Sequence, residues 1–260
     1  MDQQIRQLAD ALAQAEAQGR GIEPLTQQFP GLTIEMAYQI QLHNIQKKVA
    51  QGRKVVGKKI GLTSRAMQQL LGVDQPDYGH LLDDMVVENR GLISFSRLLQ
   101  PKVEAEVAFV LKDDLMGPGI TVDDVLRATD YVLPALEIVD SRIKDWKIKI
   151  EDTIADNASS GCFVLGGKPR KVDELDLVQI GMVLYQNGQV ANTGVGVAAL
   201  GNPAYCVAWL ANKLAEFGIG LKAGEVILSG ALSAAVDAHP GDVFQARLDG
   251  LGEVGVTFIP

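Results

Sequence analysis

Two stretches near the N-terminus carry apolar residues three and four positions apart, which is the spacing of one helix face. The first covers residues 2–18 and ends near Gly19, and the second begins after Thr33 and ends at Gly52. Their apolar positions are Ile5, Leu8 and Leu12 in the first, and Tyr38, Leu42, Ile45 and Val49 in the second. The N-terminal 50 or so residues are therefore predicted to be helical.

Two further helices are predicted from their start signals. Thr121 and Asp124 have the spacing of a capping box, so a short helix should follow the turn at 117–119. Asn202 is a suitable N-cap, and Pro203 is favoured in the first turn. The apolar stripe of this second helix ends before Gly218 and consists of Val207, Leu210, Leu214 and Phe217.

Short apolar segments bounded by turn residues fill most of the remaining chain and predict strands. These segments are 103–111, 131–139, 162–165, 180–186, 225–229, 243–247 and 253–259. Gly- and Pro-bearing turns such as 238–242 separate the last three, which favours an antiparallel or mixed sheet. The sequence shows no internal repeat and no low-complexity linker. The pattern predicts an α+β fold in which a helical N-terminal region precedes a β-rich remainder.

Composition and charge narrow the class of protein. The chain has 260 residues, of which 47% are hydrophobic and 22% charged, and this composition excludes a disordered or fibrous protein. Its net charge of 24 − 32 = −8 disfavours nucleic acid as a partner. Two cysteines are too few for a disulfide framework. The sequence has neither a signal-peptide pattern nor a membrane-spanning apolar run, so we expect a soluble, cytoplasmic protein with no membrane partner.

Two carboxylates in the predicted strand at 103–111 are the first candidates for chemistry. Glu104 and Glu106 are two residues apart, so an extended backbone directs both to one face, which continues with Ala108 and Val110. Two like charges on a partly buried face repel each other unless one is protonated or a cation lies between them. The alternative is a half-exposed strand whose outer end carries two solvated glutamates.

A third acid, Glu137, lies within the apolar run 132–139, where an unpaired charge is costly. One interpretation is a buried salt bridge, with Arg142 as the partner. The other is a metal site, because three carboxylates from two strands suit Mg²⁺ or Mn²⁺. Zinc is disfavoured because the histidines and cysteines are scattered along the chain.

Three other segments have possible roles in a site. The glycines, lysines and hydroxyl residues of 57–64 predict a loop that either holds a substrate carboxylate or forms a solvated turn. Asp77 is interpreted by default as a turn residue. Residues 141–157 are long enough to form a lid, although a surface helix explains them equally well. No Ser-His-Asp order or dinucleotide-binding fingerprint is present.

Five blocks of the sequence resemble the 2-hydroxypenta-2,4-dienoate hydratases of aromatic meta-cleavage pathways, also called 2-oxopent-4-enoate or vinylpyruvate hydratases. The blocks are GKKIGLTS (57–64), QPDYG (75–79), residues 101–121, residues 135–161 and AGEVILSGAL (223–232). The resemblance runs from about residue 5 to the C-terminus. It implies the mixed, rolled β-sheet of the fumarylacetoacetate hydrolase C-terminal type, with a helical N-terminal region at 1–70 and a catalytic domain at 71–260, together forming one functional unit.

The resemblance also implies roles for individual residues. It makes Glu104, Glu106 and Glu137 the ligands of Mg²⁺ or Mn²⁺. It places Lys59 and Asp77 beside the substrate, where we expect them to act as the acid–base pair. Residues expected near the substrate pocket are Thr63, Ser64, Asp156, Asn157, Ser160 and Ser229.

The activity implied by the resemblance is metal-dependent hydration of 2-hydroxypenta-2,4-dienoate to 4-hydroxy-2-oxopentanoate. Relatives form large homo-oligomers, often built on five-fold rings, so a pentamer or decamer is expected. Some hydratases also associate with 4-oxalocrotonate decarboxylase.

Three alternatives to the hydratase remain. The chain could be that decarboxylase, which loses CO₂ and adds no water, or a non-catalytic partner subunit of it. The third alternative is C–C hydrolysis of the fumarylacetoacetate type. It needs a His–acid pair to activate water, and no such pair is evident near the carboxylate strand.

Overall fold

The computed structural model describes residues 2–64, 68–69 and 72–260. The helices are α1 (Asp2–Gln18), α2 (Leu25–Gln28), α3 (Ile34–Ala50), α4 (Val122–Ala128), α5 (Ile150–Ala155) and α6 (Pro203–Ala215). All of the predicted helices are confirmed, and the predicted caps are present: the side chains of Thr33, Thr121 and Asn202 each accept a backbone N–H of the first turn. None of the described helices is both long and apolar enough to span a bilayer.

The strands predicted from periodicity are confirmed to within about two residues, and several others join them. The first seven strands are β1 (Val55–Gly61), β2 (Asp77–Leu82), β3 (Val86–Val87), β4 (Gly91–Ser94), β5 (Lys102–Leu111), β6 (Thr129–Val139) and β7 (Ser160–Leu165). The remaining strands are β8 (Gly181–Gln186), β9 (Gln189–Val195), β10 (Val226–Leu228), β11 (Val236–Asp237), β12 (Val243–Leu248) and β13 (Gly252–Ile259).

The strands form two mixed sheets. The larger sheet has the order β2-β1-β10-β5-β6-β7-β3, with β11 paired to the end of β5. The smaller sheet has the order β4-β13-β12-β8-β9. Strands β12 and β13 pack against β6, and the apolar side chains between the two sheets form the main core. This core holds β5 and β6, the strands that carry the three candidate acids, at the centre of the larger sheet.

The N-terminal helices cover one side of the larger sheet. α1 packs on α3, and α3 packs on α5. The side chains of Ile5, Leu8 and Leu12 are buried, as the helical spacing predicts. Strand β1 follows α3 and pairs with β2 and β10, so the expected N-terminal region at 1–70 contributes a strand to the sheet of the expected region at 71–260.

The segment at 57–64 differs from its predicted conformation. Residues 57–61 belong to β1, which lies between two strands, and only residues 62–64 form a loop. The prediction of a loop was wrong because glycines can permit close approach as well as turns. A Cβ atom on Gly57 would overlap the backbone carbonyl of Val226 on β10.

Alternation along β1 sends its two adjacent lysines to opposite faces of the sheet. The Lys58 Nζ atom contacts both carboxylate oxygens of Glu225, at 2.6 and 2.7 Å, and both residues are buried. Lys59 points to the face that carries the three candidate acids, as described below. The buried pair between Lys58 and Glu225 therefore has a structural role.

We expect Lys58→Met to lower the free energy of unfolding by about 3–5 kcal/mol, because it leaves the buried Glu225 carboxylate without its partner. The measurement is urea unfolding followed by circular dichroism. Lys171→Met is the matched control: its ion pair with Asp130 is exposed, so its loss should cost at most about 1 kcal/mol. Equal effects of the two substitutions would contradict this assignment.

Candidate metal and substrate site

Three carboxylates converge on one face of the larger sheet. Glu104 on β5 lies directly opposite Glu137 on the antiparallel strand β6, and Glu106 follows two residues further along β5. One oxygen from each side chain lies within 4.8 Å of the others. The prediction that Glu104 and Glu106 share a face is confirmed, and the pairing of β5 with β6 adds Glu137 to them.

These acids are held in an environment that disfavours three negative charges. Glu106 and Glu137 are buried, and Glu104 is half-buried. Burial, together with the nearby Glu137 carboxylate, raises the pKa of Glu104 to about 7. Burial and the same charge repulsion also raise the pKa of Glu106.

The free oxygens of this cluster fit a hard divalent cation. Among the described residues, no donor forms a hydrogen bond with Glu106 Oε1 or Glu137 Oε2, and Glu137 Oε1 is approached only by the Lys59 amine described below. The other oxygen of Glu106, Oε2, accepts the backbone N–H of Gly230 at 2.7 Å. Oxygen-only ligands of this kind suit Mg²⁺ or Mn²⁺, which also retain positions for water or substrate.

Lys59 is the positive charge nearest to the cluster. Its Nζ lies 3.2 Å from Glu137 Oε1 and donates a hydrogen bond to the backbone carbonyl of Ala158 at 2.9 Å. Burial disfavours the charged amine, but the surrounding carboxylates outweigh it and raise the pKa of Lys59 above its ordinary value. Lys59 is therefore a cation that offsets part of the charge of the three acids.

The alternative partner for Glu137, Arg142, is wrong. The Arg142 Nε atom lies 2.5 Å from Asp156 Oδ1, and the other guanidinium nitrogens donate to backbone carbonyls. This ion pair lies among the residues that connect β6 to β7. Distance along the chain favoured Arg142, whereas the sheet brings the more distant Lys59 against Glu137.

Asp77 begins β2 and is buried, so its interpretation as a turn residue is wrong. It lies opposite Gly61 on β1. A Cβ atom on Gly61 would overlap Asp77 Oδ1 and would lie 3.0 Å from Lys59 Nζ. The absence of a side chain at Gly61 thus lets both the carboxylate and the amine pack against its backbone, which brings the two groups close together.

A cleft lies beside the cluster, and Thr63, which is buried in the loop after β1, separates the two. A Cβ atom on Gly230 would overlap the Thr63 side chain, and the backbone N–H of Gly230 binds Glu106. The cleft has a volume of about 630 Å³, and its lining includes Thr63, Ser64, Pro76, Val197, Leu200 and Trp209. Thr63 and Ser64 therefore lie where a substrate could approach the three acids.

The other residues expected near the pocket bind protein groups. Asn157 donates to and accepts from the backbone of His80, at 2.9 and 2.8 Å. The Ser160 hydroxyl donates to the Asn157 carbonyl, and the Ser229 hydroxyl donates to the Val107 carbonyl. Burial raises the pKa of Asp156 to about 6, against the opposing effect of Arg142. The expected contacts of these four residues with substrate remain a prediction.

Residues 141–143 and 152–156 are buried in the fold, whereas residues 144–151 between them are exposed or half-buried. α5 lies against α3 and β2, and its residues Asp152 to Ala155 are buried. Of the two interpretations drawn from the sequence, neither a separate lid nor a surface helix describes this segment.

Sequence reasoning missed several groups that border the site. Gly61 and Gly230 permit close contacts that a side chain would block, and the Ala158 carbonyl accepts a hydrogen bond from Lys59. Thr153 donates its hydroxyl to Asp77 Oδ2 at 2.6 Å. The glycines lie inside quoted motifs, which is a weak signal, whereas nothing in the sequence around Thr153 or Ala158 points to such a contact.

The raised pKa values predict how pH and metal affect stability. In the metal-free folded protein Glu104 stays protonated up to about pH 7, because its pKa is raised to about 7 from the ordinary value of 4.5. Folding stability from this group is therefore present at low pH and is lost as pH rises through the folded pKa. A bound cation stabilises the ionised carboxylates, so it removes this loss of stability and competes with protons for the acids.

We therefore expect Mg²⁺ to raise the melting temperature more near pH 8 than near pH 5.5. Differential scanning fluorimetry with Mg²⁺ or with a chelator measures the difference. Glu106→Gln should abolish the Mg²⁺ effect at both pH values. A shift that is independent of pH, or one that persists in Glu106→Gln, would contradict the site.

Comparisons with known proteins agree with this fold. The family model described as fumarylacetoacetate (FAA) hydrolase C-terminal matches residues 65–259. A 2-keto-4-pentenoate hydratase from Paraburkholderia xenovorans is 50% identical over 98% of this chain and 95% of that protein. A 2-hydroxyhexa-2,4-dienoate hydratase from Comamonas testosteroni is 49% identical over 99% of this chain and 97% of that protein.

Among solved structures, the 4-oxalocrotonate decarboxylase from Pseudomonas putida G7, complexed with magnesium and adipate, matches with a TM-score of 0.97 and 42% identity. The match covers 100% of this chain and 98% of that chain. The resemblance and the fold class predicted from the sequence are both confirmed. The chain belongs to the fumarylacetoacetate hydrolase C-terminal family.

Proposed function

We propose that this protein is a divalent-metal-dependent hydratase that converts 2-hydroxypenta-2,4-dienoate to 4-hydroxy-2-oxopentanoate. The observation that carries the proposal is the cluster of Glu104, Glu106 and Glu137 beside Lys59 and Asp77. The chain is about half identical, over nearly its whole length, to relatives named as hydratases of such short dienoates. The related decarboxylase complexed with magnesium supports a divalent cation at the three acids.

In the proposed reaction C5 gains a proton as the 2-hydroxyl loses one. Water then bonds to C4 through its oxygen and releases a proton as C3 gains one. When bound, the cation would supply a Lewis acid for the oxygens of the 2-oxo acid end. Lys59 Nζ and Asp77 Oδ1 both pack against Gly61 beside the cluster, so we assign the proton transfers to this pair. Burial of the cluster limits the access of bulk water to the charge that develops on the substrate during the reaction.

Decarboxylation of 4-oxalocrotonate is the second candidate, favoured by the 42% identical decarboxylase structure. A site for that diacid should offer a cation to the distal carboxylate. The described residues that line the cleft include no lysine or arginine, and residues 65–67 beside Ser64 lie outside the described chain. The higher identity to relatives named as hydratases favours hydration, and a direct assay distinguishes the two reactions.

We expect the protein to consume 2-hydroxypenta-2,4-dienoate when Mg²⁺ or Mn²⁺ is present and to stop when a chelator is added. The loss of ultraviolet absorbance follows the dienoate, and mass spectrometry identifies 4-hydroxy-2-oxopentanoate. A parallel assay measures CO₂ release from 4-oxalocrotonate. CO₂ release with an inert dienoate would replace the hydratase by the decarboxylase.

Glu106→Gln should lower kcat by roughly a hundredfold or more, because it removes a charged ligand from the proposed metal site. Glu253→Gln is the matched control, since Glu253 lies partly exposed on the smaller sheet. Unchanged activity in Glu106→Gln with added metal would overturn the ligand assignment. No activity of the unaltered protein on either substrate would overturn the proposed function.

We also propose that the chain forms a homo-oligomer, with a pentamer or decamer as the predicted state. The outer face of the smaller sheet supports this assembly. Leu92 on β4 and Val243 on β12 both lie beside Thr257 on β13, and their exposed fractions are 63% and 46%. Exposed apolar residues grouped on one face are typical of an interface. An additional complex with 4-oxalocrotonate decarboxylase remains a prediction.

We expect the double variant Leu92→Asp, Val243→Asp to dissociate the oligomer, because it places charges in the apolar interface. Size-exclusion chromatography with light scattering gives the mass of each species. Val49→Asp, an equally exposed position on α3, should leave the mass unchanged. A monomeric unaltered protein, or a double variant of unchanged mass, would contradict this interface.

A further inference from the structure

We propose that Thr153 is a positioning residue that acts through Asp77. The inference rests on the proposed function, because it assigns Asp77 a part in the proton transfers. Thr153 lies on α5, which is outside the sheet that carries the acids and Lys59. It does not belong to the set of site residues predicted from the sequence.

The contact between the two side chains is short and fully enclosed. The Thr153 hydroxyl donates to Asp77 Oδ2 at 2.6 Å, and both residues are buried. Among the described residues, no donor reaches the other oxygen, Oδ1, which packs against Gly61 where the Lys59 amine also lies. Because one oxygen is held by a fixed donor, the other is directed toward Gly61 and the Lys59 amine.

The donor itself is held by the contacts of its two neighbours in α5. Before it, the Asp152 carboxylate accepts the backbone N–H and the hydroxyl of Thr26, at 2.9 and 2.8 Å. After it, the carbonyl of Ile154 accepts a hydrogen bond from the Gln41 side chain at 2.6 Å. These contacts fix the position of the Thr153 hydroxyl, so its hydrogen bond holds the Asp77 carboxylate in one orientation.

The same segment of chain also fixes the other member of the proposed acid–base pair. Residues 157–159 have φ angles of 54°, 50° and 54°, in the left-handed region that is uncommon for residues other than glycine. This turn presents the Ala158 carbonyl to Lys59 Nζ. The hydrogen bonds between Asn157 and the His80 backbone hold the turn against β2. One connection, 152–158, thus sets the positions of both side chains.

Loss of the Thr153 hydroxyl should change turnover more than binding. The Asp77 carboxylate would no longer have a fixed orientation, while the three acids and Lys59 would keep their contacts. Small misplacements of a reacting group lower rates strongly, so we expect Thr153→Val to decrease kcat roughly tenfold to a hundredfold. KM and the affinity for Mn²⁺, measured by titration calorimetry, should change less than about twofold.

The experiment compares Thr153→Val with two matched variants in the unaltered assembly. Thr153→Ser keeps the hydroxyl and should restore most of kcat. Thr129→Val removes a buried hydroxyl that donates to the Val125 carbonyl at 2.7 Å, away from the site, and controls for the general cost of such a loss. A Thr153→Val protein with unchanged kcat, or a Thr153→Ser protein as impaired as Thr153→Val, would overturn the proposal.

A double-variant cycle tests whether Thr153 acts through Asp77. Thr153→Val should have no further effect on the kcat that remains in Asp77→Ala. A full additional loss in that background would overturn the proposal, because Thr153 would then act by another route. Failure of the proposed function itself is separate, since the unaltered protein would then be inactive on the dienoate before any substitution is made.

Discussion

Mutual repulsion among three enclosed carboxylates is the constraint on which the rest of this site depends. Burial makes the ionisation of all three acids more difficult, Glu137 adds to that effect on Glu104 and Glu106, and Glu104 adds to it on Glu106. Lys59 supplies one positive charge against three acids, so a divalent cation is the natural complement. The electrostatics of the site therefore support the proposed metal dependence independently of the family to which the chain belongs.

Glycine residues permit the close contacts that this charge arrangement needs. Gly61 lets the Asp77 carboxylate and the Lys59 amine pack against its backbone, and Gly230 brings a backbone N–H to Glu106 while it packs against Thr63. A Cβ atom on Gly79 would lie 2.5 Å from the carbonyl of Asn157, so this glycine lets the turn at 157–159 approach β2. The site is thus shaped by close contact of backbones as much as by its charged side chains.

The adjacent lysines of β1 lie on opposite faces of the sheet and have different roles. Lys58 faces Glu225 and forms a buried pair with a structural role, whereas Lys59 faces the three acids. The connection after β6 makes a similar division. Asp152 and Asp156 anchor it to Thr26 and Arg142, and the residues between and after them reach Asp77 and Lys59. Because Asp152 and Asp156 fix this connection, Thr153 and the Ala158 carbonyl can orient the proposed acid–base pair.

The sequence by itself determined the local features. The period of two in a strand put Glu104 and Glu106 on one face, capping residues marked the helix starts, and the apolar run around Glu137 marked a costly charge. Only the tertiary structure decided that Glu137 lies beside Lys59 rather than beside Arg142, that β1 is a strand, and that Thr153 contacts Asp77. Periodicity and capping are properties of neighbouring residues. Strand order, register and contacts between residues 76 positions apart depend on how the whole chain packs.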